Sequence, residues 1–248
     1  MAESSHQHRS CCYFKEWMDL QAQDLDELQN ALANNNENTY TQLIEKGIDH
    51  FRDYMSKRSA MFHQDASGYF APSWCTSLEN SSLWIAGCRP SSYIRLLYAL
   101  GSSHVESIIA DLMQGRSRES LGELTSTQQL TMINNLQMKT IKEEDKLTSK
   151  LASLQEDMAD HPISVIAKGL SQVDHPNEEV DRALAQHESA MANIFDEADK
   201  LRLDTLNELI KILTPPQSVD FLAASKKLHL CIREWGKRKD DKMGRKND

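Results

Sequence analysis

From Val180 to Ile212 one side chain in every three or four falls into register: Val180, Leu184, His187, Met191, Ile194, Ala198, Leu201, Thr205, Leu209 and Ile212. A stripe at this spacing keeps to one side of a helix and drifts too slowly to serve a strand. It therefore predicts a helix over about Glu178 to Leu213, the seam of a packed antiparallel helix or coiled coil. Another striped helix is read over about Ser126 to Ala159. Its stripe is Leu130, Ile133, Leu136, Thr140, Glu144, Leu147, Leu151, Leu154 and Met158, with a polar stretch in the middle. Only 9 glycines and 6 prolines are spread over 248 residues, too few turn-formers for a chain of many short strands. The fold class that follows is all-α: a bundle of long antiparallel helices with shorter helices packed on it.

The rest of the chain is punctuated accordingly. Residues 1–10 are read as a disordered lead, residues 11–236 as a single all-α domain, and residues 237–248 as a basic flexible tail. Helices are expected over about Cys12 to Ala33, with Phe14, Trp17, Met18, Leu20, Leu25, Leu28 and Leu32 as its apolar face, and over about Thr39 to Gln64, separated by the polar run "NNNENT". "ASGYFAPSW" is read as a loop, followed by a short helix from Pro72 to Ile85. Another helix should run from Pro90 to Leu100 with a break at Gly101, then an apolar segment from Val105 to Met113 and a polar linker, "QGRSRESLGEL". "DHP" closes the helix that ends near Ala159, and the segment from Ile163 to Asn177 is a connection. Thr214 is an expected N-cap with Pro215 in the first turn, opening a last helix whose apolar face is Phe221, Leu222, Leu228, Ile232 and Trp235.

Charge narrows the function classes. The net charge is −9, which disfavours a surface built for nucleic acid. From Arg233 onward seven basic and four acidic residues make a +3 segment, against −12 for the remainder. That segment reads as an import signal, an electrostatic contact, a calmodulin-type amphipathic target or a solvated end. Five cysteines without CxxC spacing argue against a disulfide framework and for a reducing compartment. No secretory leader is read at the N-terminus, and no apolar run approaches the roughly 20 residues of a membrane span.

The stretch "SLWIAGCRPSSYIRLLYAL" raises the question of an active site, with Cys88 as nucleophile and Arg89 as anion clamp. A phosphatase-type thiolate needs a loop of backbone N–H groups and an arginine several residues downstream, and here the arginine is adjacent. The alternative is a structural corner of Trp84, Gly87, Arg89 and Pro90. In it Gly87 takes the left-handed cap position, Pro90 restarts a helix and Arg89 bridges toward Glu79. No catalytic residue is assigned, and no ExxH pair or chelating spacing supports a metal site. His187 in the seam and His229 near the end are the candidate ligand residues, because a haem needs a single axial donor. A non-enzymatic interaction protein is the expectation that remains.

Several segments in this order carry a resemblance: "FKEWMDLQ", "HFRDYMSKRSAMFHQD", "PSWCTSLENSSLWIAGCRPSSYIRLL", "LTSTQQLTMINNLQ", "EADKLRLDTLNELIKILTPPQSVDFL" and "REWGKR". Together they resemble the plant seed-dormancy control domain of the Delay of Germination family, which also forms the C-terminal part of TGA-type bZIP factors. "WIAGCRPS" and "EADKLRLDTL" are the most specific pieces. No basic region or zipper is read before Phe14, so the resemblance is to the stand-alone members, and direct DNA contact is not expected to be inherited. The resemblance implies regulation of seed dormancy and abscisic-acid signalling in nucleus and cytoplasm. The implied partners are type 2C protein phosphatases, calmodulin and bZIP factors. The family's N-terminal aromatic motif, implied in phosphatase contact, maps to Phe14, Glu16, Trp17, Met18 and Gln21, so Trp17 is expected to be partly exposed. A family link with haem has no matching ligand residues here, and a lipid in the bundle is the other ligand considered.

Overall fold

The structure, a computed structural model, describes residues 2–101, 127–160, 162–169 and 178–245. Among them every regular element is helical. The long helices are α1 (Ala2–Ala33), α2 (Tyr40–Phe62), α6 (Thr127–Glu156), α8 (Glu178–Ile212) and α9 (Pro215–Lys242). Shorter ones are α3 (Ala66–Phe70), α4 (Ser77–Ser82), α5 over 91–101 and α7 (Ile163–Gly169).

Side-chain pairs fix the directions. Gln129 donates to the Ile212 carbonyl, Thr140 meets Thr205, and Lys150 meets Glu197, so α6 and α8 run antiparallel. Asp24 with Lys226 and Phe14 with Arg233 set α1 antiparallel to α9. Glu27 with Lys46 and Tyr13 with Tyr54 do the same for α1 and α2. From Met191 onward the seam of α8 packs as its spacing predicts: Met191, Ile194, Ala198 and Leu209 are buried, and two continuous cores form around Phe62 and Phe195 and around Tyr40, Ile94 and Phe221. Leu184 at the start of that stripe, and Leu130 and Met158 at the two ends of the α6 stripe, are exposed instead. The polar interruption in the α6 stripe also has a purpose. Thr140 faces Thr205, while the buried Glu144 carboxylate accepts from the Ser91 backbone N–H at 2.6 Å and the Ser91 hydroxyl at 3.0 Å, capping α5 from another helix.

Helix ends follow local chemistry. Thr214 and Gln217 form a reciprocal capping box with proline in the first turn, as read from the sequence. Thr76 and Glu79 form a second one at α4. The break after α1 turns through Asn35 at φ 48°, a conformation asparagine tolerates.

Several boundaries differ from expectation. The lead is helical from Ala2, and Ser10 is buried with its hydroxyl on Met61 Sδ. "ASGYF" is helix α3, because the Asp65 side chain caps it and Glu188 of α8 accepts from the N–H groups of Ala66 and Ser67. The 72–85 helix contracts to α4, Gly101 is still helical, and residues 163–169 form α7. The final helix continues to Lys242, with Asp240 fully buried and accepting from the Ser77 N–H at 2.9 Å. Leu228 and Trp235, expected on its buried face, are exposed. The apolar segment 105–113 and the linker after it lie outside the described residues.

Candidate functional site

The corner is built from four residues and two arginines. Trp84 and Gly87 pair through Trp84 N–H to Gly87 O at 2.7 Å and Gly87 N–H to Trp84 O at 3.2 Å. Ile85 and Ala86 between them both have positive φ, 46° and 56°. That is the backbone of a mirror-image two-residue turn, here without glycine at either central position. Gly87 is therefore not the left-handed residue that the sequence suggested. Its role is steric: a Cβ there would stand 2.8 Å from the guanidinium carbon of Arg202. Arg202 reaches from α8 into that space. It donates through Nη2 to the carbonyls of Trp84 at 2.5 Å and Ile85 at 2.7 Å, through Nε to Cys88 O at 2.7 Å, and through Nη1 to Asp199 at 2.6 Å. Arg58 of α2 donates to the Ala86 carbonyl at 2.8 Å, and its Nε lies 2.7 Å from Asp199. The strained turn is thus held by two buried guanidinium groups that share one buried carboxylate. "WIAGCR", "HFRDYMSKR" and "EADKLR" meet at this point.

The other corner residues take definite places. Trp84 lies between the guanidinium groups of Arg89 and Arg202 and donates its indole N–H to Thr148 at 3.0 Å. Arg89 turns to Glu144, with Nε at 3.6 Å, and not to Glu79, whose partner is Arg233 at 3.3 Å. Pro90 is buried at the start of α5. Cys88 is exposed and donates its thiol to Tyr93 Oη at 3.3 Å, so thiol and guanidinium are engaged with different groups. Among the described residues no three His, Cys, Asp or Glu side chains converge as a metal site.

The N-terminal motif is turned inward, against expectation. Trp17 is 6 % exposed and stacks on Tyr54, ring centres 4.2 Å apart; Phe14, Met18 and Gln21 are buried with it. The helical spacing that makes these residues a motif also makes them the core face of α1. Glu16 alone of the five faces out, and with Asp19, Gln23 and Asp26 it forms an exposed acidic stripe.

Between α1, α2, the corner and α9 lies a cavity of about 430 Å³ with Trp17, Phe51, Tyr54, Trp74 and Leu222 in its walls. Gln21, Ser225, Lys226 and His229 are its polar members at α1 and α9. Lys226 donates to Gln21 Oε1 at 3.2 Å and to Asp24 at 2.9 Å; Asp24 also pairs with His50 Nδ1 at 3.0 Å. Burial holds the Lys226 proton affinity below that of a free lysine, despite Asp24. Burial likewise lowers His229, against the pull of Glu79, so its imidazole is neutral near pH 7. His229 makes no hydrogen bond with a described residue. A haem would require such a neutral ring on a cavity wall, and His229 fits that requirement. His187 is half-buried on α8 and does not line the cavity. Arg58, Asp199 and Arg202 are the residues that reading the sequence missed. Their signal was a charged pair, three apart, on the flank of the α8 seam.

Comparison with known proteins fits this geometry. The model of the seed dormancy control family, DOG1, matches residues 24–99. Protein DOG1-like 1 of Arabidopsis thaliana is 43 % identical over 251 residues, covering 92 % of this chain and 89 % of the relative. The chain belongs to the DOG1-like family. More distant DOG1-like similarity reaches the Arabidopsis thaliana protein RESPONSE TO ABA AND SALT 1, 24 % identical over 90 % of this chain and 88 % of that one. It also reaches transcription factor TGA2.3 of Oryza sativa subsp. japonica, 25 % identical over 83 % of this chain and 56 % of the factor. The matched stretch 24–99 contains Arg58 and the whole corner, while Asp199 and Arg202 lie beyond it. No described helix is long and apolar enough to cross a membrane.

Proposed function

We propose that this chain is a non-enzymatic regulator of seed dormancy and abscisic-acid signalling, acting in nucleus and cytoplasm by binding a type 2C protein phosphatase. Membership of a seed dormancy family and similarity to a protein named for its response to ABA support the pathway. The observation that carries the binding mode is the two-sided α1. Its aromatic motif is core, and its outward face is the acidic stripe Glu16, Asp19 and Asp26. Phe14, Trp17, Met18 and Gln21 then set the pose of α1, and Glu16 and its neighbours meet a basic patch on the phosphatase, where charge sets encounter rate and register.

Calorimetry with a type 2C phosphatase catalytic domain tests this reading. Glu16→Arg with Asp19→Arg should weaken binding tenfold or more and leave the melting temperature in place. Unchanged affinity would remove the outward face from the interface. Trp17→Ala should instead lower stability by about 3–5 kcal/mol, as loss of a buried aromatic does.

A second reading concerns the end of α9, where Trp235 is 53 % exposed, Leu228 is exposed one heptad earlier, and Arg238, Lys239 and Lys242 are basic. That pattern suits an acidic groove-forming partner of the calmodulin type. Calcium-dependent binding lost in Trp235→Ala would support it. Similarity to a TGA factor favours association with bZIP proteins over DNA contact by a chain of net charge −9. A salt-sensitive shift of duplex DNA by the purified chain would reverse that preference.

A further inference from the structure

The first turns of α1 are tied down on one side, and that selects what the other side presents. Gln7 donates to Ser73 Oγ at 2.6 Å, Arg9 to Gln64 Oε1 at 2.7 Å, and the buried Ser10 to Met61 Sδ at 3.7 Å. Cys11 is half-buried and packs on the core that contains Phe14 and Trp17. Residues 7, 10, 11 and 14 thus take the inner side of the helix. His8 and Cys12, four apart, are left on its exposed side. There imidazole and thiol meet: His8 Nε2 lies 3.6 Å from Cys12 Sγ. Imidazole and thiolate are both zinc ligands, and a spacing of four is the one with which a helix offers two donors to one ion. The pair has neither ExxH nor CxxC spacing, which is why it carried no metal signal in the sequence.

The separation discriminates between metals. Bonds of about 2.3 Å to sulfur and about 2.05 Å to nitrogen, meeting at a tetrahedral angle, set the two donors about 3.6 Å apart. A square-planar ion would need about 3 Å and a linear one more than about 4 Å. Magnesium and calcium prefer oxygen donors and have no claim on a thiolate. We propose that His8 and Cys12 form a zinc-binding pair on the exposed side of α1. The ion bonds to His8 Nε2 and to the Cys12 thiolate; the thiol proton passes to water, and two of the ion's own waters leave. No third His, Cys, Asp or Glu side chain among the described residues converges with the pair, so the other two tetrahedral positions keep water. Two donors hold zinc less firmly than the four of a structural site, and the expected dissociation constant is on the order of micromolar. The helix is already fixed by its inner contacts, so binding orders no new backbone. The inference goes beyond the phosphatase reading, and its test contains no phosphatase, so either can fail without the other.

The test uses the full, reduced chain. Zinc chloride is titrated by calorimetry, and cobalt(II) replaces it as a spectroscopic probe. The parent protein should bind zinc, and Cys12→Ser and His8→Gln should each weaken that binding at least tenfold. Cys11→Ser should leave it unchanged, because that thiol faces the core. Bound cobalt should show a thiolate-to-metal charge-transfer band and the intense visible bands of a tetrahedral ion, and Cys12→Ser should lose the former. Melting curves establish that the three variants are folded. Absence of zinc binding at millimolar concentration would overturn the proposal. So would an affinity unchanged in either Cys12→Ser or His8→Gln, a loss in Cys11→Ser equal to that in Cys12→Ser, or a cobalt spectrum without the charge-transfer band.

Discussion

The corner and the cavity share two arginines and differ in how their polar groups are satisfied. In the corner, the carbonyls of Trp84, Ile85, Ala86 and Cys88 each receive a guanidinium N–H, although the turn places two non-glycine residues at positive φ. On the α1 and α9 side of the cavity, Gln21 Nε2 has no partner and His229 makes no hydrogen bond with a described residue. Buried polar groups are nearly always paired. In the corner four paired carbonyls and the ion pairs of Arg58 and Arg202 with Asp199 fix one conformation, whereas Gln21 Nε2 on α1 has no such partner. The contrast assigns the most diagnostic sequence pieces, "WIAGCRPS" and "EADKLR", to scaffold.

The largest effect should come from breaking the completed network. Arg202→Met removes three carbonyl bonds and one of the two cations on Asp199. Removing one member of a buried ionic set costs about 3–5 kcal/mol, a large share of the usual total. Urea denaturation reads the loss as a lower midpoint. Arg202→Lys should recover little, because an ammonium lacks the planar fork that spans the Trp84, Ile85 and Cys88 carbonyls. A midpoint within error of the parent protein would show that the turn holds itself.

Gly87→Ala is the smaller companion. The new methyl group would press on the Arg202 guanidinium, and overpacking of this kind costs about 1–3 kcal/mol. The two substitutions act on one contact, so the double variant should lose less than their sum. Strict additivity in the double-mutant cycle would mean that Gly87 is required for some reason other than Arg202.

How far the sequence was legible depended on periodicity. The stripes of α8 and α6 follow from spacing, and Thr214 with Pro215 from capping chemistry, because these are local consequences of helix geometry; that the two helices pack on each other does not. The corner was visible as a break, yet its cause was not. Gly87 was read through backbone freedom, the commonest need for glycine, when its actual constraint is a side chain 115 positions later in the sequence. Arg89 was given to Glu79 by proximity, whereas Glu144 claims it across the bundle. The spacing of Phe14, Trp17 and Met18 describes an apolar face of the first helix, and the structure buries it; the partial exposure of Trp17 that the resemblance implied is what fails. Long-range partners of this kind leave a weak local trace, here the charged pair Asp199 and Arg202 beside an apolar seam.

The smallest effect concerns the unsatisfied side of the comparison and has a definite sign. His229 is held neutral by burial, with Arg233 and Lys226 adding to the depression and Glu79 opposing it. In the unfolded chain its imidazole regains an ordinary pKa near 6.5. Below that pH the unfolded chain takes up a proton that the folded chain resists, so stability falls as pH falls; above it this residue contributes no pH dependence. His229→Gln has no such proton to gain. The parent protein and the variant should therefore show parallel stability from pH 8 to 7 and separate below about 6.5, the parent losing more, at most with the one-proton slope of about 1.4 kcal/mol per pH unit. Every other side chain is common to both proteins and cancels in the difference. Parallel curves down to pH 5 would place His229 in water in the folded state and remove it from the cavity wall.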